Sequence, residues 1–500
     1  MKRANPADSM VPFTSLHLDA RKSSPLHRQL YAEIRSAVLS GRLAAGARLP
    51  STRSLAADLG VSRNTVAGAF DQLMAEGYLE GRVGAGTFVT DMGGGRVPAA
   101  VVKDDGAVRL SVRGERLADT RISESKDVAT ARAFRPGVPA LDAFPRELWA
   151  RMSARVARRA RSEALTYGAA AGSPALRQAI ADYLRAARGV RCSAEQVVVT
   201  SGSQQALDLT ARVLVDAGET AWVEDPSYLG ARGAFQAAGV VCAPVALDAE
   251  GLSVADGEAR APEARLVYVS PSHQYPMGMT MSLGRRMALL EWARRRRAWI
   301  VEDDYDSEFR YAGRPLASLQ GLDTVDRVIY TGTFSKVLFP ALRLGYLVAP
   351  EVVASALASA KALVDRQSPG LDQALVAEFL AEGHFARHVR RMRALYRERQ
   401  EALVAESRKE LAGRLDVEPS EAGMHVIGWL RGVADDAAAA RKAAGHGVAT
   451  TALSAYAVRR RVAPGLVMGY ACVTPRQIRE GVRKLAAVLG AGGLGPGARD

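Results

Sequence analysis

The sequence predicts a small, mostly helical unit at the front of a large α/β unit. Three observations carry that expectation. The chain has 500 residues, too many for one ordinary domain and enough for two or three. Apolar residues in roughly the first 90 positions recur at the spacing of helices. From about residue 131 to 490, short apolar runs alternate with helical stretches, the pattern of a largely parallel sheet flanked by helices.

The composition fits a globular chain, with 48% hydrophobic and 24% charged residues. The net charge of +14 points weakly to an anionic partner. It does not single out the front: the first 90 residues carry 11 Lys+Arg against 7 Asp+Glu. Cys192, Cys242 and Cys472 lie far apart with no C-x-x-C pair, which speaks against a disulfide framework or a metal site and for a cytoplasmic protein. The start, MKRANPADSM, has no apolar signal core, and no run of about 18 apolar residues could span a membrane.

In the front unit, Leu26, Leu30, Ile34 and Val38 share one helical face, and Gly41 ends that helix. Ser51 can cap a short helix carrying Leu55 and Leu59, Gly60 makes a turn, and Ser62 can cap a second helix with Val66, Phe70, Leu73 and Met74 on one side. Two short helices around a Gly-containing turn are a helix-turn-helix signal. Arg63, Asn64 and Thr65 open the second helix, with side chains able to reach base edges and phosphates. The stretch YLEGRVGAGTFVT then reads as a wing. The run LPSTRSLAADLGVSRNTVAGAFDQLMAEGYLEGRVGAGTFV resembles the winged helix-turn-helix of GntR-type regulators. The resemblance implies contacts to a double-stranded DNA operator from Arg53, Ser62, Arg63, Asn64 and Thr65, with Arg82 and the glycines Gly84 and Gly86 at the wing. The expected boundaries are 1–90 for this domain and 91–130 for a Gly-rich, charged linker.

In the back unit the polar residues that stand out fall at strand ends, where ligands of such sheets collect. SGSQQAL, after VVVT, offers a helix N-terminus to a phosphate. Tyr228 comes after WVEDP, Asp303, Asp304 and Tyr305 follow WIVE, and Lys336 comes after VIYTGT with Arg343 beyond it. A phosphate seat, a stacking ring, a carboxylate, a phenol and a lysine together are what pyridoxal 5′-phosphate needs. The lysine links to its aldehyde, and the carboxylate keeps its pyridine nitrogen protonated.

The stretch from PSHQYPMG through VEDDYDSEF to YTGTFSKVLFPALRLGY resembles fold-type I aminotransferases, and the whole chain resembles MocR/GabR-type regulators. That resemblance implies a large aminotransferase-like α/β domain at 131–490 that binds pyridoxal phosphate and dimerises. By position it makes Lys336 the Schiff-base lysine and Asp303 the partner of the pyridine nitrogen. Tyr305 stands by the 3′-hydroxyl, Tyr228 stacks on the ring, and Ser203, Gln204, Thr333, Ser335 and Arg343 surround the phosphate. Tyr167 reaches the neighbouring subunit's phosphate. His273 and Gln274 stand where aminotransferases carry an asparagine over the ring. In the γ-aminobutyrate-responsive regulators two arginines hold the effector's carboxylate; the matching positions here are Gly230 and Ala455. The expected function is a regulator that senses pyridoxal phosphate, an amine or an amino acid, with no catalytic role assigned. The competing expectations are a working aminotransferase with an accessory head and a DNA-binding protein whose body only dimerises.

Overall fold

The computed structural model describes residues 18–19, 21, 23–91, 109–119, 133–311 and 317–490. The chain divides into two compact units, Met1–Arg109 and Leu110–Asp500.

The first unit holds α1 (Leu26–Leu39), α2 (Thr52–Leu59), α3 (Arg63–Ala75), β1 (Leu79–Arg82) and β2 (Gly86–Val89). The expected helical faces become its core: Leu30, Ile34 and Val38 pack with Leu55, Val66, Phe70 and Leu73, and Leu79 and Val89 close it from the hairpin. Both serine caps form. Ser51 Oγ accepts from the Ser54 amide and Ser62 Oγ from the Thr65 amide, each at 3.1 Å, answering N–H groups that have no partner inside the helix. Gly60 ends α2 with φ 64°, a conformation glycine takes without a Cβ clash. β1 and β2 pair antiparallel, with Leu79 opposite Val89 and Arg82 opposite Gly86.

The second unit starts within the span expected as a linker. Val112–Asp119 (α4) is helical, and the Arg113 guanidinium donates to the Ala237 carbonyl. Most of the rest of 91–130 lies outside the described residues. The main sheet has eight strands: β3 (Val197–Thr200), β4 (Thr220–Asp225), β5 (Val241–Asp248), β6 (Gly251–Leu252), β7 (Leu266–Val269), β8 (Trp299–Asp304), β9 (Val328–Thr333) and β10 (Gly345–Val348). Their order is β3-β10-β9-β8-β7-β4-β5-β6. Four neighbouring pairs, from β9 across to β5, are parallel. Every residue of β3, β7 and β9 is buried, which is why these strands read as unbroken apolar runs. Among the helices around the sheet are α5 (Arg146–Arg159), α6 (Pro174–Arg188), α7 (Ser203–Leu214) and α8 (Leu229–Ala238).

One strand departs from the parallel expectation. β10, read from LGYLVAP, runs antiparallel to both β9 and β3. The connection from Thr333 to Gly345 holds only a short turn, Pro340–Leu342, and no crossover helix, so the chain comes straight back. A second, antiparallel sheet was not anticipated: β11 (Leu415–Val417), β12 (His425–Leu430), β13 (Thr451–Ala452) and β14 (Gly465–Gly469), in the order β11-β12-β14-β13. The long helix His384–Glu410 packs against β11 and the C-terminal helix Pro475–Gly490. Among the described residues no helix is long and apolar enough to cross a membrane.

Losing the Ser62 cap tests the recognition-helix assignment locally. Ser62→Ala should destabilise α3 by about 1 kcal/mol. Amide exchange in Arg63–Ala75 should then speed up roughly fivefold, while exchange in the main sheet stays unchanged.

Candidate cofactor pocket and DNA-reading face

The return from β9 to β10 carries the lysine. Phe334, Val337 and Leu338 are buried and pin the turn, leaving Lys336 half-buried between them. Its Nζ donates to the Gly137 carbonyl at 2.9 Å. Gly137 was not anticipated. It sits at φ 72°, a conformation that favours glycine, and a Cβ there would lie 2.7 Å from Nζ, so a side chain would push the amine aside. Burial lowers the basicity of the amine, against the pull of Asp306 and Asp303.

The acids of β8 divide by the alternation of a strand. Glu302 accepts from the Leu319 and Gln320 amides, both at 2.9 Å. Asp304 accepts from Arg188 Nε at 2.7 Å and from the Tyr330 hydroxyl at 2.6 Å. Both are committed to holding the fold. Asp303 faces the other way: its Oδ2 accepts from the Tyr268 hydroxyl at 2.8 Å, and its buried Oδ1 has no hydrogen-bond partner among the described residues. Burial pushes this carboxyl up to about 7. An orphaned carboxylate oxygen near an amine is what a protonated ring nitrogen would satisfy.

The phosphate end forms where β3 passes into α7. Gly202, at φ 106°, makes the turn, and the Arg343 guanidinium lies close over it, 3.6 Å from where a Cβ would be. Arg343 is exposed, and its side chain has no hydrogen bond or ion pair among the described residues. Ser203 opens α7, and Thr333 Oγ1 takes the Ser335 amide at 3.1 Å. Gln204 is already engaged, with Nε2 donating to the Gly230 carbonyl at 2.8 Å.

Tyrosines line the space between. Tyr228 precedes α8, and burial raises its hydroxyl to about 12. Tyr275, within the PSHQYPMG stretch but not singled out, meets Tyr228, Tyr305 and His425 edge to face. Its hydroxyl lies 2.9 Å from that of Tyr456, which no motif marked. His273 Nδ1 faces the Tyr305 hydroxyl at 3.0 Å and the Asp306 carboxylate at 3.0 Å, so it fixes the phenol from the side. His273, Asp306 and His425 bring ligand-type atoms within 4.8 Å of one another, but His273 and Asp306 are bonded together and His425 Nε2 answers the Pro276 carbonyl at 3.0 Å. Gln274 serves the loop: its amide donates to Glu224 and to the Pro226 and Tyr275 carbonyls. Tyr167 stands apart, 75% exposed, with the Arg366 guanidinium 4.6 Å over its ring.

In the head, Arg63 and Asn64 are exposed at the start of α3, and Arg53 is exposed on α2. Ser62 and Thr65 are bound to each other, Oγ to Oγ1 at 2.9 Å, which makes them first a cap. Arg82 holds Glu80 through two nitrogens and lies 4.6 Å over the Phe88 ring, so DNA must compete for it. The wing turns through Gly84 and Gly86, at φ 75° and 113°, with Val83 fully exposed at its tip. Arg48, exposed beside Gly86, was not anticipated.

Comparison with known proteins agrees with this geometry. Residues 26–89 match the bacterial regulatory protein gntR family, and residues 140–485 match aminotransferase class I and II. The chain is 44% identical to the probable rhizopine catabolism regulatory protein MocR of Rhizobium meliloti, over 95% of this chain and 96% of that one. It is 34% identical to the pyridoxine biosynthesis transcriptional regulator PdxR of Corynebacterium glutamicum, over 84% of this chain and 86% of that one. Its body superposes on the α-aminoadipate aminotransferase LysN of Thermus thermophilus, complexed with N-(5′-phosphopyridoxyl)-L-leucine, with a TM-score of 0.65 and 32% identity, covering 76% of this chain and 95% of LysN. The chain therefore belongs to the MocR type of GntR-family transcription regulators, in which a winged helix-turn-helix head is joined to an aminotransferase-like body.

Proposed function

We propose that this regulator binds pyridoxal 5′-phosphate through Lys336 and reads it, or an amine that reacts with it, as the signal governing operator binding. The observation that carries the reading is the presence of the Lys336 amine, held by the Gly137 carbonyl, and the orphaned Asp303 Oδ1 close enough to influence each other's charge, beside Tyr228, Tyr268 and Tyr305. When bound, the cofactor supplies an aldehyde that amines attack and a ring that withdraws electrons. Asp303 Oδ1 would accept from the cofactor's protonated pyridine nitrogen. Burial lowers the basicity of Lys336, the direction that favours attack by its amine. Arg343, the amides opening α7, Ser203, Thr333 and Ser335 would hold the cofactor's phosphate. Tyr228 and Tyr305 bound the ring, and His273 orients Tyr305. The exposed Tyr167 serves a second copy of the chain in a homodimer.

The pocket disfavours γ-aminobutyrate. A Cβ at Gly230 would lie 2.4 Å from the Tyr228 ring and 2.5 Å from Gln204 Oε1, so no carboxylate-binding side chain fits there, and Ala455 supplies none. A regulator needs a ligand that favours one conformation over another, not turnover. On this reading the body is a sensor in the cytoplasm, and transaminase chemistry is at most residual.

Three outcomes follow. Arg63→Ala should weaken operator binding about tenfold or more, the worth of one bidentate base contact, while the absorption of the bound cofactor stays unchanged; an electrophoretic titration reads the first and a spectrum the second. Borohydride reduction followed by peptide mass spectrometry should find the phosphopyridoxyl group on Lys336 and on no other lysine, and Lys336→Ala should lose it while keeping its fold. The third outcome concerns pH. Because the Asp303 carboxyl sits near 7 in the cofactor-free fold, above its value in the unfolded chain, its contribution to stability is fully present below the ordinary carboxylate range and is lost as pH rises through about 7. Cofactor-free Asp303→Asn should therefore melt above the parent at pH 8, by about 1 kcal/mol or more, and the gap should shrink toward pH 5.5. The same variant should hold the cofactor more weakly.

A further inference from the structure

Strand β8 has two faces, and only one serves the Lys336 pocket. On the other, Asp304 pairs with Arg188 at the end of α6, with side chains 2% and 7% exposed. Beyond β8 the chain turns through Ser307–Phe309 and Arg310 and meets the long helix His384–Glu410. Between them opens a cleft of about 350 Å³.

Its lining is strongly cationic. Arg188, Arg310, Arg390 and Arg393 face a single acid, Glu308. Arg188 and Arg310 have carboxylate partners, Asp304 and Glu421. Arg393 spends Nε on the Glu308 carbonyl oxygen, and its two terminal guanidinium nitrogens are uncommitted among the described residues. The Arg390 side chain has no hydrogen bond or ion pair among the described residues. Glu308 is a weak countercharge: its carboxylate takes the Tyr183 hydroxyl at 2.7 Å, and burial raises it to about 7. Two buried donors of the lining, Ser307 Oγ and Arg310 Nε, lack hydrogen-bond partners among the described residues, and unmet donors are costly. Tyr183 and Phe385, edge to face at 5.0 Å, give the cleft an apolar side.

We propose that this cleft is a second ligand site, taking a compact anion with two or more negative oxygens, a phosphate ester or a polycarboxylate. Guanidinium forks match such groups, and the uncommitted Arg390 and Arg393 make the contacts. The site is separate from the phosphate seat at Arg343. Its ligand would rest on the segment that continues β8, whose opposite face carries Asp303. The inference does not depend on the cofactor reading.

Calorimetric titration of the full-length protein tests it, with inorganic pyrophosphate in one arm and citrate in the other, at low salt. Saturable binding of at least one anion is expected, and the arm that binds identifies the class. Arg390→Ala and Arg393→Ala should each weaken it about tenfold, the worth of one charged hydrogen bond. The pair Arg158→Ala/Arg159→Ala on the exposed face of α5 should leave it intact. Binding of neither anion would overturn the proposal. So would unchanged affinity in Arg390→Ala, or equal weakening by the α5 pair, which would mean only a general attraction to a basic surface.

Discussion

A buried carboxylate with one oxygen unanswered is the constraint around which the body is arranged. Asp303 shares the sheet's carboxyl end with Glu224, Asp304, Asp306 and Glu308, and burying so many acids is costly unless each is paired. The fold pairs the others internally. Glu224 takes Ser270 and Gln274, Asp304 takes Arg188 and Tyr330, Asp306 takes His273, and Glu308 takes Tyr183. Among the described residues Asp303 and Asp304 each keep one oxygen without a hydrogen-bond partner, and of the two Asp303 lies on the face shared with Lys336. On the proposed reading a protonated heterocycle would complete it, and stability given up in the empty protein would become affinity for the cofactor.

Close packing around that pair fixes what can enter. Gly137 lets a carbonyl reach the lysine, and the glycine at 230 lets Tyr228 and Gln204 fill the space where a basic side chain would stand. Gly423 packs against the His273 ring so closely that a Cβ there would overlap it. His273 in turn holds Tyr305. Selectivity in such a pocket is set by backbone contact as much as by charged groups, because a rigid wall cannot yield to a larger side chain.

The head and the cluster of polar residues at the strand ends were legible from the sequence because each stands in a local pattern. The helix faces, both serine caps and the wing could be read from spacing, and Lys336, Asp303, Tyr228 and Tyr305 from their places at strand ends. What escaped notice depends on contacts distant in sequence. Gly137 lies 199 residues from the lysine it supports, and Tyr456 lies 181 from Tyr275. The direction of β10 depends on a missing crossover helix, which an apolar run does not encode. The four strands of the small sheet are two to six residues long, too short to show a period. Gln274 sits in a suggestive motif, yet the structure uses it to tie a loop.

The central claim is that the body's ligand and the head's DNA are energetically linked. The most direct measurement is a linkage cycle: the pyridoxal phosphate dissociation constant with and without saturating operator DNA, and the operator constant with and without pyridoxal phosphate. The account predicts the same factor from both directions, typically about 5- to 150-fold for coupled sites, collapsing to one in Lys336→Ala. Constants that do not change in the wild-type protein, or that change equally in Lys336→Ala, would contradict it and leave the body as a dimerisation scaffold.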